Sequence, residues 1–415
     1  MNLSLNRILI LVIISLTLST LSCGKKGDTQ TQAQQPAEKP LDSLTLELER
    51  INQDDKIAGF GVAIVNAEGS IYSKGFGYAN KAQGKAYTEN TIQNIASISK
   101  TFLGIALLKA QEMGKLQLDD SINKYLPFEV YNPKFKDIPI TIRHLSTHTS
   151  SIVDSDFYNL KSYVLKDAIK DSTEIKGVSE TFNSPESAVS MEVFLQNCLT
   201  PKGEWYTEKT FLESAPGQTF EYSNVGAALM AYVLEQAVEM DYPEFSKKHI
   251  LDPLGMTSSG WNFESIDLNQ HTTLYQVDQT PIPFYRLVTY PDGGMITSVD
   301  DLGKYLTELI KGYSGKGTLL SKESYDELFT PQLSASHFTE RDAESAYNDE
   351  YNMGIFMGMS AKGNIGHTGG DPGVSSLMFF NAESKTGQIL IINTGLDDFG
   401  YNEFVKIWET TEKYR

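Results

Sequence analysis

Apolar runs with the spacing of β-strands occur near both ends of the chain, and this arrangement limits the folds that the chain can adopt. Residues 60–65 and 71–78 flank a turn-like Asn-Ala-Glu-Gly and predict a β-hairpin. Residues 374–380 and 389–393 predict a second antiparallel pair. Because an isolated pair of strands is only marginally stable, we expect the two ends of the chain to build one sheet.

Helical patterns occupy most of the remaining chain. Apolar residues recur with helical spacing in five segments, which are 41–51, 98–111, 225–238, 299–310 and 403–413. The predicted fold class is α+β, with an antiparallel β-sheet from residues 41–97 and 355–415 that is flanked by helices. A helical domain at about 98–350 would be inserted into this sheet. Residues 155–215 are polar and weakly periodic, which predicts an insertion over one face rather than a separate domain.

Residues 1–22 have the pattern of a bacterial secretion signal. A short segment with one cation, Arg7, precedes an apolar run at 8–18 that is too short to span a membrane. The Leu-Ser-Cys-Gly that follows resembles a lipoprotein cleavage site, which implies that Cys23 is lipidated. Residues 23–40 lack large apolar side chains and predict a flexible tether. We therefore expect a lipid-anchored protein of the bacterial cell envelope that faces the periplasm or the exterior.

The composition is that of a folded globular protein, with 40% hydrophobic and 21% charged residues. The 53 acidic and 35 basic residues give a net charge of -18, which argues against a nucleic-acid partner. With Cys23 lipidated, Cys198 is the one remaining thiol, so an intrachain disulfide is excluded. The apolar neighbours of Cys198 predict a buried side chain rather than a second nucleophile. The sequence does not define an oligomeric state.

Ser97 and Lys100 form a pair that could carry chemistry. They lie where a polar stretch gives way to the helical pattern at 98–111, so Lys100 should lie one turn after Ser97 on the same face. A serine hydroxyl is a poor nucleophile until a base takes its proton, and a desolvated lysine can have a pKa low enough to act as that base. The helix N-terminus would also offer backbone N–H groups to a developing oxyanion.

The Ser-x-x-Lys spacing alone is weak evidence, because it recurs at Ser22 with Lys25 and at Ser121 with Lys124. The first of these pairs spans the predicted cleavage site, and the second falls in a loop-like stretch. Ser97 differs from both because it precedes a helix with a continuous apolar face. The context therefore favours Ser97 as the nucleophile.

Two further motifs follow the Ser97 pair along the chain. Tyr222-Ser-Asn224 begins the predicted helix at 225–238, and His367-Thr-Gly-Gly370 leads into the predicted strand at 374–380. The order and spacing of these three motifs resemble the class C β-lactamase, DD-peptidase and related esterase family. The likeness covers roughly residues 41–408 and includes the strings RHLSTHT at 143–149, DPLGM at 252–256 and GGMITS at 293–298.

This resemblance implies a β-lactamase/transpeptidase-like fold and a role for each motif residue. Ser97 would be acylated, Lys100 would assist removal of its proton, and Tyr222 would shuttle the proton to and from the leaving group. The backbone N–H groups of Ser97 and Gly370 would form the oxyanion hole. The residues that bind substrate would be Asn224, His367, Thr368 and Gly369. The principal base, lysine or tyrosine, stays open, and neither a metal ion nor another cofactor is expected.

Some strings depart from the family pattern or imitate it. His367 stands where β-lactamases usually have a lysine, so the fixed positive charge that would hold a substrate carboxylate is replaced by a group that is mostly neutral at pH 7. A literal Lys385-Thr-Gly387 falls between two strand-like runs and predicts a hairpin turn. Tyr78-Ala-Asn80 precedes the nucleophile and ends a strand, which argues against a catalytic role.

His144 and His148 raise the alternative of a zinc site, because histidines four residues apart can share a helical face. A metalloprotease motif also needs a glutamate beside the first histidine, and Leu145 occupies that position. The sequence suggests no third ligand, so the zinc hypothesis is not favoured.

The predicted function is that of an extracytoplasmic serine hydrolase, which cleaves an ester or amide of a small-molecule or peptide substrate through an acyl-serine intermediate. Esterase, D-amino-acid peptidase and DD-peptidase activities share the fold and the motifs and differ in pocket shape, so they stay open. A true β-lactamase is an alternative within this class. An alternative from another class is a low-turnover, lipid-anchored penicillin-binding or sensor protein.

Overall fold

The computed structural model describes residues 41–168, 181–339 and 347–415. The predicted signal peptide at 1–22 and the predicted tether at 23–40 lie outside the described residues. Within the described ranges, no helix has both the length and the apolar character needed to cross a membrane.

An antiparallel sheet of eight strands forms the centre of the described part of the chain. The strands of the fold are β1 (Gly59–Asn66), β2 (Gly69–Asn80), β3 (Lys85–Ala86), β4 (Ile92–Asn94), β5 (Tyr163–Leu165), β6 (Leu274–Tyr275), β7 (Pro281–Ile282), β8 (Tyr285–Leu287), β9 (Ile296–Ser298), β10 (Asn352–Met353), β11 (Gly358–Ser360), β12 (Asn364–Asp371), β13 (Val374–Asn381) and β14 (Thr386–Ile392). The sheet has the order β10-β11-β12-β13-β14-β1-β2-β3. Strands β1 and β14 pair in the middle, from Phe60 with Ile392 to Asn66 with Thr386, so both ends of the chain build one sheet.

Helices cover both faces of this sheet and fill the region inserted between its strands. They are α1 (Leu41–Ile51), α2 (Ser99–Glu112), α3 (Ile142–Ser146), α4 (Asp156–Ser162), α5 (Met191–Leu199), α6 (Asn224–Val238), α7 (Tyr242–Ser246, continued by turns at Lys247–Leu251 and Asp252–Leu254), α8 (Val299–Tyr313), α9 (Lys322–Phe329) and α10 (Asp398–Glu412). Helices α1 and α10 pack against each other, and α8 crosses β1, β2 and β14. The predicted α+β class, an antiparallel sheet flanked by helices with helical segments inserted, is confirmed.

The two faces of the sheet bury different side chains, because successive residues of a strand point to opposite sides. In β1, Phe60, Val62 and Ile64 join the apolar cluster formed with α1 and α10. Ala63 and Val65 join the larger cluster that contains α2, α6 and α8. Helix α2 has buried residues all around its axis, as expected for a helix enclosed by other elements. This larger cluster holds the two helices that follow the Ser97 and Tyr222 motifs.

The region 181–215 is more closely integrated into the core than its polar sequence predicts. Helix α5 packs on α6, and its Phe194 and Leu195 are completely buried in the larger cluster. Cys198 is buried in this helix, as its apolar neighbours predict, and burial raises the pKa of its thiol to about 12. Residues 169–180 of the predicted insertion lie outside the described residues.

Helix α10 begins at Asp398, before the predicted start at residue 403. The Asp397 side chain accepts the N–H of Gly400 at 2.8 Å and caps the helix. Phe399 in the first turn is exposed and does not belong to the buried face of the helix. Hydrophobic periodicity therefore does not reveal this turn. The cap was the signal that could have located this helix start.

Leu44→Ala is expected to lower the free energy of unfolding by about 2–5 kcal/mol, because Leu44 is completely buried where α1 meets the sheet and α10. Leu46 lies on the same helix and is 61% exposed, so Leu46→Ala should change stability by less than about 0.5 kcal/mol. Urea denaturation followed by circular dichroism measures both variants. Equal destabilisation by the two substitutions would contradict this packing.

Candidate active site

Ser97 lies in a short 3-10 turn, Ala96–Ile98, that runs directly into α2. Ala96 has a φ of 49°, a left-handed conformation that is unfavourable for a residue with a Cβ atom. Such strain costs on the order of 1–3 kcal/mol and persists only where the surroundings hold the backbone. The turn presents the Ser97 side chain to a large cleft, with 9% of the residue exposed.

Lys100 lies one helical turn after Ser97 and is completely buried. Its Nζ is 3.0 Å from Ser97 Oγ, 2.7 Å from Asn224 Oδ1 and 2.6 Å from the backbone oxygen of Asp292. The amide and carbonyl oxygens can only accept hydrogen bonds, whereas a serine hydroxyl can also donate one. A neutral amine that donates its two protons to these oxygens therefore directs its lone pair at the Ser97 hydroxyl.

Burial lowers the pKa of Lys100 below its usual value, because the charged amine loses hydration. The carboxylates of Asp292, Asp154 and Asp371 offset part of this effect. A lowered pKa increases the fraction of neutral amine near pH 7. Lys100 thus has both the contact and the ionisation expected of a base acting on Ser97.

Asp154 fixes the orientation of Asn224 at the start of α6. Its Oδ2 accepts the backbone N–H of Asn224 at 2.8 Å and the side-chain Nδ2 at 2.9 Å. Its Oδ1 accepts the hydroxyl of Ser223 at 2.8 Å and the N–H of Val225 at 3.0 Å. A carboxylate in this place also complements the dipole of the helix. Because Nδ2 of Asn224 is held by Asp154, Oδ1 faces Lys100.

The Tyr222 ring lies beside Lys100, whose Nζ is 5.1 Å from the ring centroid. Within the described part of the chain, the buried Tyr222 hydroxyl has no hydrogen-bond partner of ordinary geometry. Burial raises the pKa of Tyr222, and the Ser97 hydroxyl offsets part of this rise. The phenol therefore stays protonated and can offer its O–H to a bound substrate.

His148 holds the Tyr222 segment from both sides. Its carbonyl oxygen accepts the N–H of Glu221 at 2.8 Å, and its Nδ1 accepts the N–H of Ser223 at 3.2 Å. Its ring also packs on the Tyr222 ring, with centroids 4.4 Å apart. Burial lowers the pKa of His148 well below its usual value, and Lys100 lowers it further. A neutral imidazole with its proton on Nε2 fits these contacts.

His367, Thr368, Gly369 and Gly370 lie within β12, a strand of its own that pairs with β13. The sequence instead places them as a lead into the later strand, because glycine and polar residues interrupt the apolar alternation. A Cβ built on Gly369 would lie 2.4 Å from the backbone oxygen of Ile95, so only glycine permits this approach. Glycine at this position therefore lets β12 pack directly against the Ser97 turn.

His367 lines the cleft and is neutral at pH 7. Its Nδ1 is 2.5 Å from the backbone oxygen of Thr368, a contact in which the nitrogen donates. Burial lowers the pKa of His367 to about 4, the nearby Lys100 lowers it further, and the Thr368 contact opposes this. The expectation of a neutral group where β-lactamases usually have lysine agrees with this shift.

Two buried carboxyl groups complete the site, and the sequence analysis missed both. Tyr158 donates to both oxygens of Asp292 at 3.1 Å, and Tyr163 donates to Asp371 Oδ1 at 2.6 Å. Burial raises the pKa of each of these aspartates to about 7. Each one adjoins a glycine pair of a family motif, which is the signal that could have identified them.

The cleft has a volume of about 1540 Å³ and runs from Ser97 over β12 and β13 towards α10. Ser97, Tyr222, Asn224 and the His367–Gly370 stretch all line it. Aromatic side chains form much of its wall, and they include Tyr158, Tyr163, Phe182, Phe220, Tyr347 and Tyr351. The structure thus brings the residues of the three sequence motifs to one cleft, with Lys100 buried directly beneath Ser97.

The imitating motifs lie elsewhere. Lys124 is exposed and pairs with Asp120 at 3.0 Å, and Lys385 lies in the turn between β13 and β14. Helix α3 ends at Ser146, so His144 and His148 do not share a helical face. No group of three His, Cys, Asp or Glu side chains in the described ranges is placed to hold a metal ion.

Comparison with known proteins places this geometry in context. Residues 47–404 match the family described as Beta-lactamase. The protein PbpX of Bacillus subtilis (strain 168) is 25% identical over 385 residues, which cover 91% of this chain and 80% of that protein.

Two solved structures share the fold. The octameric penicillin-binding protein homologue from Pyrococcus abyssi is 23% identical, with a TM-score of 0.66 over 90% of this chain and 77% of that one. The β-lactamase/D-alanine carboxypeptidase from Pseudomonas syringae is 17% identical, with a TM-score of 0.63 over 90% of this chain and 99% of that one.

Asp154→Ala should reduce activity roughly ten- to a hundred-fold, because Asn224 loses the group that orients it towards Lys100. Stability should fall by about 1–3 kcal/mol, since several donors lose their acceptor. Asp156→Ala is the matched control, because Asp156 is exposed in the first turn of α4. Hydrolysis of a p-nitrophenyl ester and thermal unfolding measure both effects. Loss of stability without loss of activity would contradict the orienting role.

Proposed function

Because the chain belongs to the β-lactamase family of serine hydrolases, we propose that it cleaves an ester or amide outside the cytoplasm through an acyl-Ser97 intermediate. The observation that carries this proposal is the 3.0 Å contact between Lys100 Nζ and Ser97 Oγ. The other two contacts of this buried amine are to oxygens that can only accept, so its lone pair is available to the serine. The substrate would be a small molecule or a peptide.

In the acylation step, Ser97 Oγ bonds to the substrate carbonyl carbon while its proton passes to the neutral Lys100 amine. Tyr222 then donates its proton to the leaving alcohol or amine as the bond to the carbonyl carbon breaks, and Lys100 returns a proton to Tyr222. In the second step, water bonds to the acyl carbon and gives a proton to the same groups. The bond from that carbon to Ser97 Oγ then breaks, the acid product leaves, and the proton returns to Ser97. The lowered pKa of Lys100 and the raised pKa of Tyr222 support this division, with lysine as base and tyrosine as acid.

The oxyanion would be bound by the backbone N–H groups of Ser97 and Gly370. Two observations support this pairing. Ser97 lies at the N-terminal end of a buried helix, and Gly369 packs against the backbone of Ile95 and brings β12 to the same turn. Backbone donors fixed in this way stabilise developing negative charge without reorganisation. Asn224, His367 and Thr368 would bind the rest of the substrate.

The charge of the site supports neutral substrates over those with a free carboxylate. With a pKa of about 4, His367 carries no charge at pH 7 and gives only a neutral hydrogen bond. A charge-assisted hydrogen bond contributes about 1.5–3 kcal/mol, against about 1 for a neutral one. Penicillins and DD-peptides bear carboxylates, so esterase or peptidase activity on other substrates is favoured over β-lactamase activity.

We further propose that the enzyme is a lipoprotein of the cell envelope, anchored through Cys23. The apolar run at 8–18 and the Leu-Ser-Cys-Gly that follows it support this location. The 23–40 tether would hold the catalytic domain away from the membrane surface.

Ser97→Ala should abolish covalent labelling by a fluorophosphonate, because the nucleophilic oxygen is lost. Lys100→Ala should slow labelling by roughly a hundred-fold or more, since the base and the nucleophile act as a unit. Ser121→Ala and Lys124→Ala are matched controls with the same spacing in the sequence and should label at the wild-type rate. Intact-protein mass spectrometry measures the adduct.

Labelling that survives in Ser97→Ala would overturn the assignment of the nucleophile. A wild-type adduct with a labelled penicillin that persists for hours, without ester or amide turnover, would favour the low-turnover binding protein instead.

Cys23→Ala should move the protein from the membrane fraction to the soluble fraction or block its maturation. Two acyl chains hold a protein on a bilayer, whereas a single chain is marginal. Fractionation of bacteria that express the full chain, with mass spectrometry of the mature N-terminus, measures the result. Wild-type protein that is wholly soluble and begins at Gly24 or later would contradict the lipid anchor.

A further inference from the structure

Asp371 follows Gly370 at the end of β12 and lines the cleft. Its Oδ1 accepts the Tyr163 hydroxyl, whereas its Oδ2 is shielded from solvent and has no hydrogen-bond partner among the described residues. A Cβ built on Gly293 would lie 3.3 Å from this Oδ2 and 3.7 Å from the carbonyl carbon of Ala96. The unpartnered oxygen therefore lies within about 7 Å of the carbonyl carbon of Ala96, the residue before Ser97.

A buried acceptor without a donor is unfavourable, so a ligand that supplies a donor to it would gain binding energy. Burial raises the pKa of Asp371 to about 7, although Tyr163 and Lys100 both oppose the rise. The carboxylate thus lacks a sufficient counter-charge in the free protein. A ligand with a positively charged N–H group would supply both the missing hydrogen-bond donor and the missing counter-charge.

The charges around Asp371 also favour a cationic ligand. Asp154, Glu221 and Asp292 also line the cleft near Ser97, and His367 is neutral. Two lysines line the cleft within the described ranges, and both lie at its far end. Lys362 precedes β12, roughly 20 Å along the strand from Gly370, and Lys413 follows α10. A cleft lined by one sign of charge concentrates substrates of the opposite sign.

We propose that the cleft selects substrates whose acyl group carries an ammonium group close to the scissile carbonyl, and that the Asp371 carboxylate binds this group. The inference rests on the proposed acyl-Ser97 mechanism and names its substrate class. Asp371 forms no covalent bond in the reaction and determines specificity. Amines of amino-acyl esters and amides have this chemistry, because an α-amino group is largely protonated at pH 7.

Diphenyl phosphonates test the selection without requiring turnover. Ser97 Oγ forms a bond to phosphorus, phenoxide leaves and takes up the serine proton, and the stable adduct is measured by mass. The three probes are diphenyl 1-aminoethylphosphonate, which is cationic, diphenyl ethylphosphonate, which is neutral, and diphenyl 2-carboxyethylphosphonate, which is anionic. Second-order labelling rates at pH 7 are compared for wild type and variants, so that intrinsic probe reactivity cancels.

Asp371→Asn keeps the shape of the side chain and an acceptor for Tyr163 but removes the charge. It should reduce the cationic-to-neutral rate ratio roughly tenfold or more. Glu409→Gln is the matched control, because it removes one charge from the far end of the same cleft. This control should leave the ratio within about twofold, since a charge at the far end of the cleft is screened by the intervening solvent and salt.

A rate ratio that Asp371→Asn leaves unchanged would overturn the inference, as would an equal fall in Glu409→Gln. The inference would also be overturned if the wild type preferred the anionic probe and Asp371→Asn lost this preference. That result would show that a protonated Asp371 binds carboxylates. Failure of all three probes and of the fluorophosphonate to label Ser97 would instead overturn the proposed mechanism. Labelling by the fluorophosphonate alone would leave that mechanism standing and reject the ammonium preference.

Discussion

The hydrogen bonds of the buried Lys100 amine are the interaction on which the site depends. They join three segments that are distant in sequence, because Ser97 opens α2, Asn224 opens α6 and Asp292 ends the turn before β9. A buried amine without partners would cost several kcal/mol, so these segments must meet in one arrangement. The same contacts direct the lone pair of the neutral amine at the Ser97 hydroxyl. Structural and chemical requirements are thus met by one set of oxygens.

Burial lowers the pKa of Lys100, and the carboxyl groups around it oppose this effect. Asp154 accepts four hydrogen bonds at the start of α6. Asp292 and Asp371 each have a pKa raised to about 7, so their charge changes in the range where the enzyme is expected to work. A carboxyl that loses its charge stabilises the lysine ammonium less. When Asp292 and Asp371 take up protons, the neutral form of Lys100 therefore becomes more favourable, so the three titrations are coupled.

Regular elements with a strong pattern were predictable from the sequence, and the site was predictable in part. Helix α1 has the predicted bounds because Leu44, Leu48 and Ile51 recur on one buried face. The Lys100 contact with Ser97 follows from helical spacing. Strand β12 was not recognised as a separate strand, since glycines replace the apolar alternation. The roles of Asp154, Asp292 and Asp371 depend on contacts between distant segments. No local pattern encodes such contacts.

The close approach of β12 to the Ser97 turn would couple the proposed catalytic geometry to the proposed substrate selection. Gly369 permits the approach, and the Ser376 hydroxyl, on the neighbouring strand, donates to the backbone oxygen of Ile95 at 2.8 Å. This contact would bring Gly370 to the proposed oxyanion position and, one residue later, Asp371 to the same side of the cleft. A displacement of β12 would move both residues together. In the proposed mechanism, the charge preference of the cleft therefore depends on the same backbone as the oxyanion hole.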